Sequence, residues 1–155
     1  MILDKIRAWL AAESVPYREA HHEPTRTSEE SARARGEEMK VGGKALVIKV
    51  DDTFRLFILS ADRKLDSAAI KRHFTAKKTR FATPEELMEL TGLVPGSVPP
   101  FGDPILPFPL YVDPSVYEND RVAFNAGSLT DSIVIPIEDY KRLARAESFT
   151  FATPG

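Results

Sequence analysis

Two apolar runs within residues 44–60 constrain the fold of this chain more than any other feature of its sequence. The runs KALVIKV and FRLFILS are rich in β-branched and aromatic residues, and a turn at Asp51-Asp52 separates them. This pattern predicts a β-hairpin with strands at 44–50 and 54–60. An antiparallel pair of strands is therefore the best-defined element of the predicted fold.

Helical and strand patterns alternate along the rest of the chain. Thr27 and Thr83 are typical helix N-caps, because each hydroxyl can accept a backbone hydrogen bond and a glutamate follows three residues later. The predicted helices span residues 2–13, 28–35, 66–74, 84–91 and 137–144, with one turn at 113–115, and further strands are predicted at 17–22, 79–82, 105–112, 121–125 and 132–135. The pattern predicts one α+β domain over residues 1–155, with a mixed, mostly antiparallel sheet flanked by short helices.

Composition and charge exclude several classes of function. The chain is 43% hydrophobic and 28% charged, which is typical of a soluble globular protein, and no apolar run is long enough to cross a membrane. Asp4 and Lys5 stand where a signal peptide would be apolar, so we expect a cytoplasmic protein. With no cysteine, thiolate catalysis, disulfides and Cys-ligated metals are excluded. A net charge of −2 argues against binding long nucleic acid by phosphate neutralisation alone, but it allows a local basic patch.

The histidines and serines predict neither a metal site nor a hydrolase triad. His21 and His22 are neighbours on a strand and face opposite ways, and His73 is the third histidine. No carboxylate completes a metal-ligand spacing, so we predict no metal and no cofactor. Ser128 with Asp131 has no histidine nearby in sequence, and no serine has a nucleophile-elbow pattern around it.

A basic segment, KRHFTAKKTRF at residues 71–81, is the one local concentration of positive charge. A segment of this kind is usually the solvated face of a helix and turn. The alternative is a surface that follows phosphates, with Phe74 or Phe81 free to stack on a base. In that alternative the tRNA-binding residues are Lys71, Arg72, Lys77, Lys78 and Arg80.

Three further features are compatible with a ligand site. Lys44 follows two glycines at the start of an apolar strand, and the residues alone favour a solvated strand-end lysine over a cation for a phosphate or oxyanion. The stretch LTGLVPGSVPPFG at 90–102 holds three glycines and three prolines, which predicts a rigid loop whose main chain meets another object. The small residues at 125–131 form either an ordinary turn or the wall of a narrow pocket.

These segments occur together in an order that resembles the YbaK family, also called the prolyl-tRNA-synthetase-associated domain. The shared elements are Lys44-Ala45-Leu46-Val47 after a glycine, the loop Gly96–Gly102, and Phe124-Asn125-Ala126-Gly127 before a final strand. The resemblance covers about residues 17–140 and implies a barrel-like sheet. It also implies a functionally essential Lys44, a catalytic role for Gly96, and substrate-binding roles for His22, Thr25, Thr27, Ser97, Val98, Pro100, Phe101, Gly102, Asn125, Gly127 and Ser128.

The activity that the resemblance implies is trans-editing, the hydrolysis of the ester between a wrong amino acid and a tRNA. The partners are the acceptor end of an aminoacyl-tRNA and an aminoacyl-tRNA synthetase, with no membrane. A narrow pocket favours alanine, serine or threonine as the cleaved group, and tRNA-Pro is one implied carrier. Leu129 stands where many relatives carry histidine, and Asp131 is a candidate for the acidic residue of other members.

Two other functions fit the same residues. One is a non-catalytic module that binds tRNA ends or a small ligand and associates with a synthetase. The other is a generic nucleotide- or phosphate-binding protein, which the lack of a glycine loop before a helix disfavours. In the editing hypothesis Lys44 acts as a cation that anchors the phosphate or ester region, while main-chain N–H groups near Gly96 polarise the ester carbonyl.

Overall fold

The computed structural model describes all residues 1–155, and its helices and strands alternate as the sequence predicts. The helices are α1 (Ile2–Ala12), α2 (Ser28–Arg35), α3 (Ser67–Phe74), α4 (Pro84–Thr91) and α5 (Ile137–Ala144), with 3-10 helices at Met39–Val41 and Pro114–Glu118. The strands are β1 (Arg18–His21), β2 (Gly43–Val50), β3 (Thr53–Ser60), β4 (Arg63–Leu65), β5 (Thr79–Phe81), β6 (Leu110–Val112), β7 (Arg121–Asn125), β8 (Asp131–Pro136), β9 (Glu147–Ser148) and β10 (Ala152–Pro154). None of the helices has the length and apolar character needed to cross a membrane.

The strands form two main sheets that meet at the beginning of β2. A five-stranded sheet has the order β5-β2-β3-β6-β9, and its centre is the predicted hairpin, whose register runs from Gly43–Ser60 to Val50–Thr53. A three-stranded antiparallel sheet has the order β1-β8-β7, and a bridge between Gly42 and Ala123 joins it to β2. Strands β4 and β10 form a separate pair. Because β6 runs parallel to β3 and β9 parallel to β6, the sheet is mixed, and the predicted α+β class is confirmed.

The second half of strand β3 is buried on both of its faces, which explains the four consecutive apolar residues at 56–59. Leu56 and Ile58 belong to the main core, which lies between the two sheets and α1, α4 and α5. Phe57 and Leu59 point the other way, into a smaller core beneath α3 and the C-terminal residues. Alternate residues of a strand face opposite sides, so the part of β3 that lies between the two cores is apolar at each of residues 56–59.

Local sequence signals placed the helix starts correctly. Both predicted capping boxes are present, with Thr27 Oγ1 accepting from Glu30 N and Thr83 Oγ1 accepting from Glu86 N, each at 3.1 Å. The turn predicted at 113–115 is the start of the second 3-10 helix, where Asp113 Oδ2 accepts from Ser115 N.

One predicted strand is wrong over most of its length. Residues 105–112 were expected to be extended, but only Leu110–Val112 pair in a sheet. Pro104, Pro107 and Pro109 explain the difference, because proline has no N–H to donate to a strand ladder. The short strands β4, β9 and β10 carry no sequence pattern long enough to predict, and long-range pairing alone defines them.

Candidate active site

A cavity of about 550 Å³ lies where α2, the beginning of β2, the 90–102 loop and the end of β7 meet. Eleven of its fifteen lining residues are not hydrophobic, and none is acidic. The lining residues are Thr25, Arg26, Thr27, Ser28, Ser31, Arg35, Gly42, Gly43, Lys44, Ala45, Leu46, Ala61, Gly96, Val98 and Asn125. Three cations and no carboxylate in one wall make the cavity suitable for a ligand that carries negative charge or a polarised carbonyl.

Lys44 is the second residue of β2, opposite Leu59 of β3, and its side chain is exposed at the cavity. It forms no ion pair with any carboxylate of the chain. Two glycines precede it, and a Cβ at Gly43 would lie 2.9 Å from Val122 Cγ2. Gly43 therefore lets β2 approach β7 closely, and the neighbouring Lys44 is left beside the cavity without a competing partner.

Hydrogen bonds hold the 90–102 loop against the end of β7. Gly96 has a positive φ of +89°, a conformation that favours glycine. Its carbonyl accepts a 2.7 Å bond from Asn125 Nδ2, and Ser97 O accepts from Gly127 N at 2.9 Å. The Gly96 N–H donates no hydrogen bond within the chain, and Gly96 is one of the residues that line the cavity. The loop thus offers a fixed and unused backbone donor.

A buried polar network lies behind Asn125. Ser132 is fully buried, and its Oγ donates to Asn125 Oδ1 at 3.2 Å. Ser132 Oγ also accepts a long 3.4 Å bond from Arg35 Nη1 and lies 2.8 Å from His22 Nε2. Ser132 therefore connects the cavity's buried arginine to the side chain that holds the Gly96 loop.

Six of the residues that the family resemblance implies lie together in the cavity wall. They are Thr25, Thr27, Lys44, Gly96, Val98 and Asn125. His22 does not line the cavity but contacts Ser132 behind it. Ser97 is buried, and its hydroxyl donates to Val94 O at 2.7 Å. Gly127 and Ser128 lie in the adjoining turn.

Three other implied residues do not line the cavity, because long-range packing draws them into the core. Phe101 is fully buried and makes an edge contact with Trp9, with ring centroids 5.1 Å apart. Pro100 O accepts the buried Tyr140 hydroxyl at 2.8 Å. A Cβ at Gly102 would lie 2.7 Å from Phe108 O, so this glycine allows close packing against the segment that follows the loop.

Sequence reasoning missed the contribution of α2. Ser28, Ser31 and Arg35 line the cavity, as do Arg26 and Gly42. A signal was present, because residues at i, i+3 and i+7 share one helix face and α2 has almost no apolar residues to bury. Nothing local, however, indicated which other element that polar face would meet.

Leu129 and Asp131 both lie close to the site but in different surroundings. Leu129 Cδ2 is 3.4 Å from the position of a Cβ on Gly96, so its apolar side chain packs beside the cavity wall. Asp131 lies 2.8 Å from His21 Nδ1 and accepts from Ser128 Oγ at 2.8 Å. The hydrogen bond from His21, followed by that from Ser128, lowers the pKa of the Asp131 carboxyl.

The basic segment forms part of a second, open cleft of about 780 Å³. Lys71, Lys77 and Lys78 line it and form no ion pairs. Arg80 lines it too, but its guanidinium donates two bonds to Glu86, at 2.7 and 2.9 Å. The bond from Arg80 is the main reason why the pKa of Glu86 falls to about 2. Arg72 lies outside the cleft wall, 4.0 Å from Asp66.

Neither cleft contains a group of three or more His, Asp or Glu side chains arranged to hold a metal ion, and no such group occurs elsewhere in the chain.

Comparison with known proteins identifies the class to which this fold and cavity belong. A family model described as an aminoacyl-tRNA editing domain matches residues 22–143. The chain therefore belongs to the aminoacyl-tRNA editing domain family, and the resemblance seen in its sequence is confirmed.

Its individual relatives include a tRNA deacylase and part of a proline–tRNA ligase. The chain is 36% identical to the multifunctional Ser/Thr-tRNA deacylase ProXp-y of Escherichia coli K12, over 95% of this chain and 90% of that protein. It is 35% identical to the proline–tRNA ligase of Shouchella clausii over 65% of this chain but only 18% of the ligase. A crystal structure of a candidate trans-editing enzyme for prolyl tRNA synthetase superposes with a TM-score of 0.82 at 27% identity, covering 97% of this chain and 96% of that one.

Proposed function

We propose that this protein is a trans-editing deacylase that hydrolyses the ester of a small, wrongly attached amino acid on a tRNA. The observation that carries the proposal is that Lys44 and Gly96, whose N–H donates no hydrogen bond within the chain, line one cavity whose lining contains no carboxylate. A cation and an unused backbone donor are the groups that stabilise a developing oxyanion. The relative named as a Ser/Thr-tRNA deacylase, which aligns over 95% of the chain, supports this activity.

Serine and threonine are the cleaved groups that the cavity wall favours. Thr25, Thr27, Ser28 and Ser31 line the α2 side of the cavity. The Thr27 hydroxyl caps α2 and those of Thr25 and Ser31 bond to each other at 2.8 Å, but a hydroxyl can both donate and accept, so each keeps some capacity for a substrate. A wall that can hydrogen-bond a substrate hydroxyl discriminates strongly against an analogue that lacks it. Of the three amino acids that the sequence suggests, we therefore expect alanine to be released most slowly.

The reaction needs positioning and charge stabilisation rather than a protein nucleophile. A water oxygen attacks the aminoacyl carbonyl carbon, the ester C–O bond breaks, and the terminal ribose oxygen leaves with a proton. The products are the free amino acid and a tRNA with a free terminal hydroxyl. Lys44 acts as a cation that stabilises the negative charge of the ester region, while the Gly96 N–H polarises the carbonyl. The neighbouring ribose hydroxyl helps to place the water.

The second cleft is the surface that we propose for the tRNA backbone. Asp51 and Asp52 also line this cleft, but the ammonium groups of Lys71, Lys77 and Lys78 form no ion pair with them, so they are available to phosphates. Arg72 and Arg80 contribute less because each forms an ion pair with a carboxylate. Because the net charge is −2, contact through such a local patch is favoured over a broadly basic surface.

We propose tRNA-Pro as the first carrier to test, because the chain aligns with part of a proline–tRNA ligase. The matching synthetase is the partner that would supply the substrate.

A deacylation panel tests the proposal. Serine, threonine, alanine and proline are each attached to tRNA-Pro and to their own tRNAs, and the loss of the aminoacyl group is followed with and without the protein. We expect serine and threonine to be released fastest and proline to be retained. Tight binding of the same charged tRNAs without release of any amino acid would replace the deacylase with a binding module.

A further inference from the structure

Arg35 is a buried cation in the cavity wall whose own chain does not satisfy it. The residue is only 7% exposed and is the last residue of α2. Nη1 makes the single long bond to Ser132, Nε is buried without a hydrogen-bond partner, and no carboxylate lies within ion-pairing distance. Burial lowers the pKa of its guanidinium to about 10. An arginine in this state is costly to keep buried unless something else completes its hydrogen bonds.

The acidic residue nearest in sequence is already used. Glu37 accepts from Arg121 at 2.8 Å and from Arg18 at 2.7 Å, so two other guanidinium groups share its carboxylate. Arg18 also donates to the Arg35 carbonyl at 3.1 Å, which places a further positive charge nearby. Glu37 favours and Arg18 disfavours the charged form of Arg35. The local balance leaves Arg35 without an anion of its own.

Gly42 holds space for the guanidinium group. A Cβ at this position would lie 3.0 Å from Arg35 Nη2, tighter than an ordinary contact. Gly42 is two residues before Lys44, so the guanidinium lies beside the strand that carries Lys44. Arg35 and Lys44 therefore lie in one region of the cavity. Arg26, the third cation of the lining, precedes the other end of α2.

We propose that Arg35 binds a phosphodiester oxygen at the 3′ end of the tRNA, a role that rests on the proposed deacylase function. In an aminoacyl ester the carboxylate charge is gone and the amino group is cationic or neutral, so the phosphates are the anions of the substrate. A planar guanidinium matches phosphate oxygens in a two-bond geometry that a lysine cannot reproduce. Arg35 thus takes the phosphate, and Lys44 remains for the ester.

A binding comparison with small probes tests the phosphate contact separately from catalysis. Adenosine 5′-monophosphate carries the phosphate of the terminal nucleotide, and adenosine lacks it. We expect the wild-type protein to bind the monophosphate about 10- to 100-fold more tightly than adenosine, the range of a charge-assisted bond. Arg35→Gln should abolish the preference, and Arg35→Lys should restore only part of it.

Arg33→Gln is the matched control, because Arg33 lies on the same helix, is exposed, and faces only Glu29 at 3.7 Å. It should keep the full preference for the monophosphate. In deacylation assays Arg35→Gln should raise KM about 10- to 100-fold while kcat stays within about threefold, and it should reduce the salt slope by about 0.7. An unchanged phosphate preference in Arg35→Gln would overturn the proposal.

Stability measurements separate binding from a structural role. Because Arg35 is incompletely satisfied, Arg35→Gln and Arg35→Met should keep the Tm within about 4 °C of wild type. Larger losses in both, together with an unchanged phosphate preference in Arg35→Lys, would assign the arginine to the fold and overturn the proposal. If no charged tRNA is hydrolysed but the phosphate preference still depends on Arg35, the deacylase fails and the anion site stands.

Discussion

Asn125 offers the sharpest test of whether the 90–102 loop is held in place for catalysis. Its Nδ2 donates to Gly96 O at 2.7 Å, and its Oδ1 accepts from Ser132 Oγ at 3.2 Å. Asn125→Ala removes both bonds, each worth about 1 kcal/mol net. If the loop position matters only in the transition state, a loss of about 2 kcal/mol lowers kcat about 30-fold with little change in KM.

The assay is single-turnover deacylation of Ser-tRNA, followed beside a thermal melt of each variant. Water can reach the Gly96 side of the loop, so the Tm of Asn125→Ala should fall by no more than about 4 °C. Asn125→Asp keeps the acceptor for Ser132 but loses the donor to Gly96, and it should be at least as slow. Asn119→Ala is the matched control, because Asn119 also donates to a carbonyl, that of Lys40 at 2.9 Å, but lies outside the cavity wall. A kcat for Asn125→Ala within twofold of wild type would refute the reasoning.

Three further predictions concern tRNA contact and stability. Lys78→Gln should reduce the salt slope of tRNA binding by about 0.7, and Arg80→Gln should reduce it less, because Glu86 already pairs with Arg80; equal effects would contradict the assignment. Asp113→Ala should lower the free energy of unfolding by about 2–4 kcal/mol in urea, because this buried carboxylate accepts three backbone N–H bonds. Glu37→Gln should lower the free energy of unfolding by about 1–2 kcal/mol at pH 7, a modest loss because its arginine partners are partly exposed. Bonds from those arginines lower the pKa of Glu37 from its usual 4.5, so the stabilisation is present above pH 4.5 and is lost as the pH falls through the lowered pKa. A pH–stability curve of the variant that runs parallel to that of the wild type would contradict this.

The parts of the fold that were predictable are those that local chemistry decides. The hairpin at 44–60 and the caps at Thr27 and Thr83 depend on residues within a few positions of one another, and all formed as expected. The strand predicted at 105–112 does not form over most of its length because prolines without an N–H interrupt its apolar pattern.

The site was predictable only where single residues carry the signal. Lys44 and Gly96 were found through a family pattern, and the cavity brings them together. Arg35 was missed because its importance comes from burial without a partner, which no sequence window shows. The family resemblance implied a substrate-binding role for Phe101, but its ring is buried in the core against Trp9 and Tyr140.

The central claim is that this cavity hydrolyses aminoacyl-tRNA by means of Lys44. The measurement that tests it most directly is the single-turnover rate on Ser-tRNA for wild type, Lys44→Ala and Lys40→Ala. Lys40 is a suitable control because it is exposed, near in sequence and paired with Glu38 outside the cavity.

We predict a loss of about 100-fold or more for Lys44→Ala, with an unchanged Tm because the side chain has no partner in the fold, and a wild-type rate for Lys40→Ala. A rate for Lys44→Ala within threefold of wild type would contradict the claim.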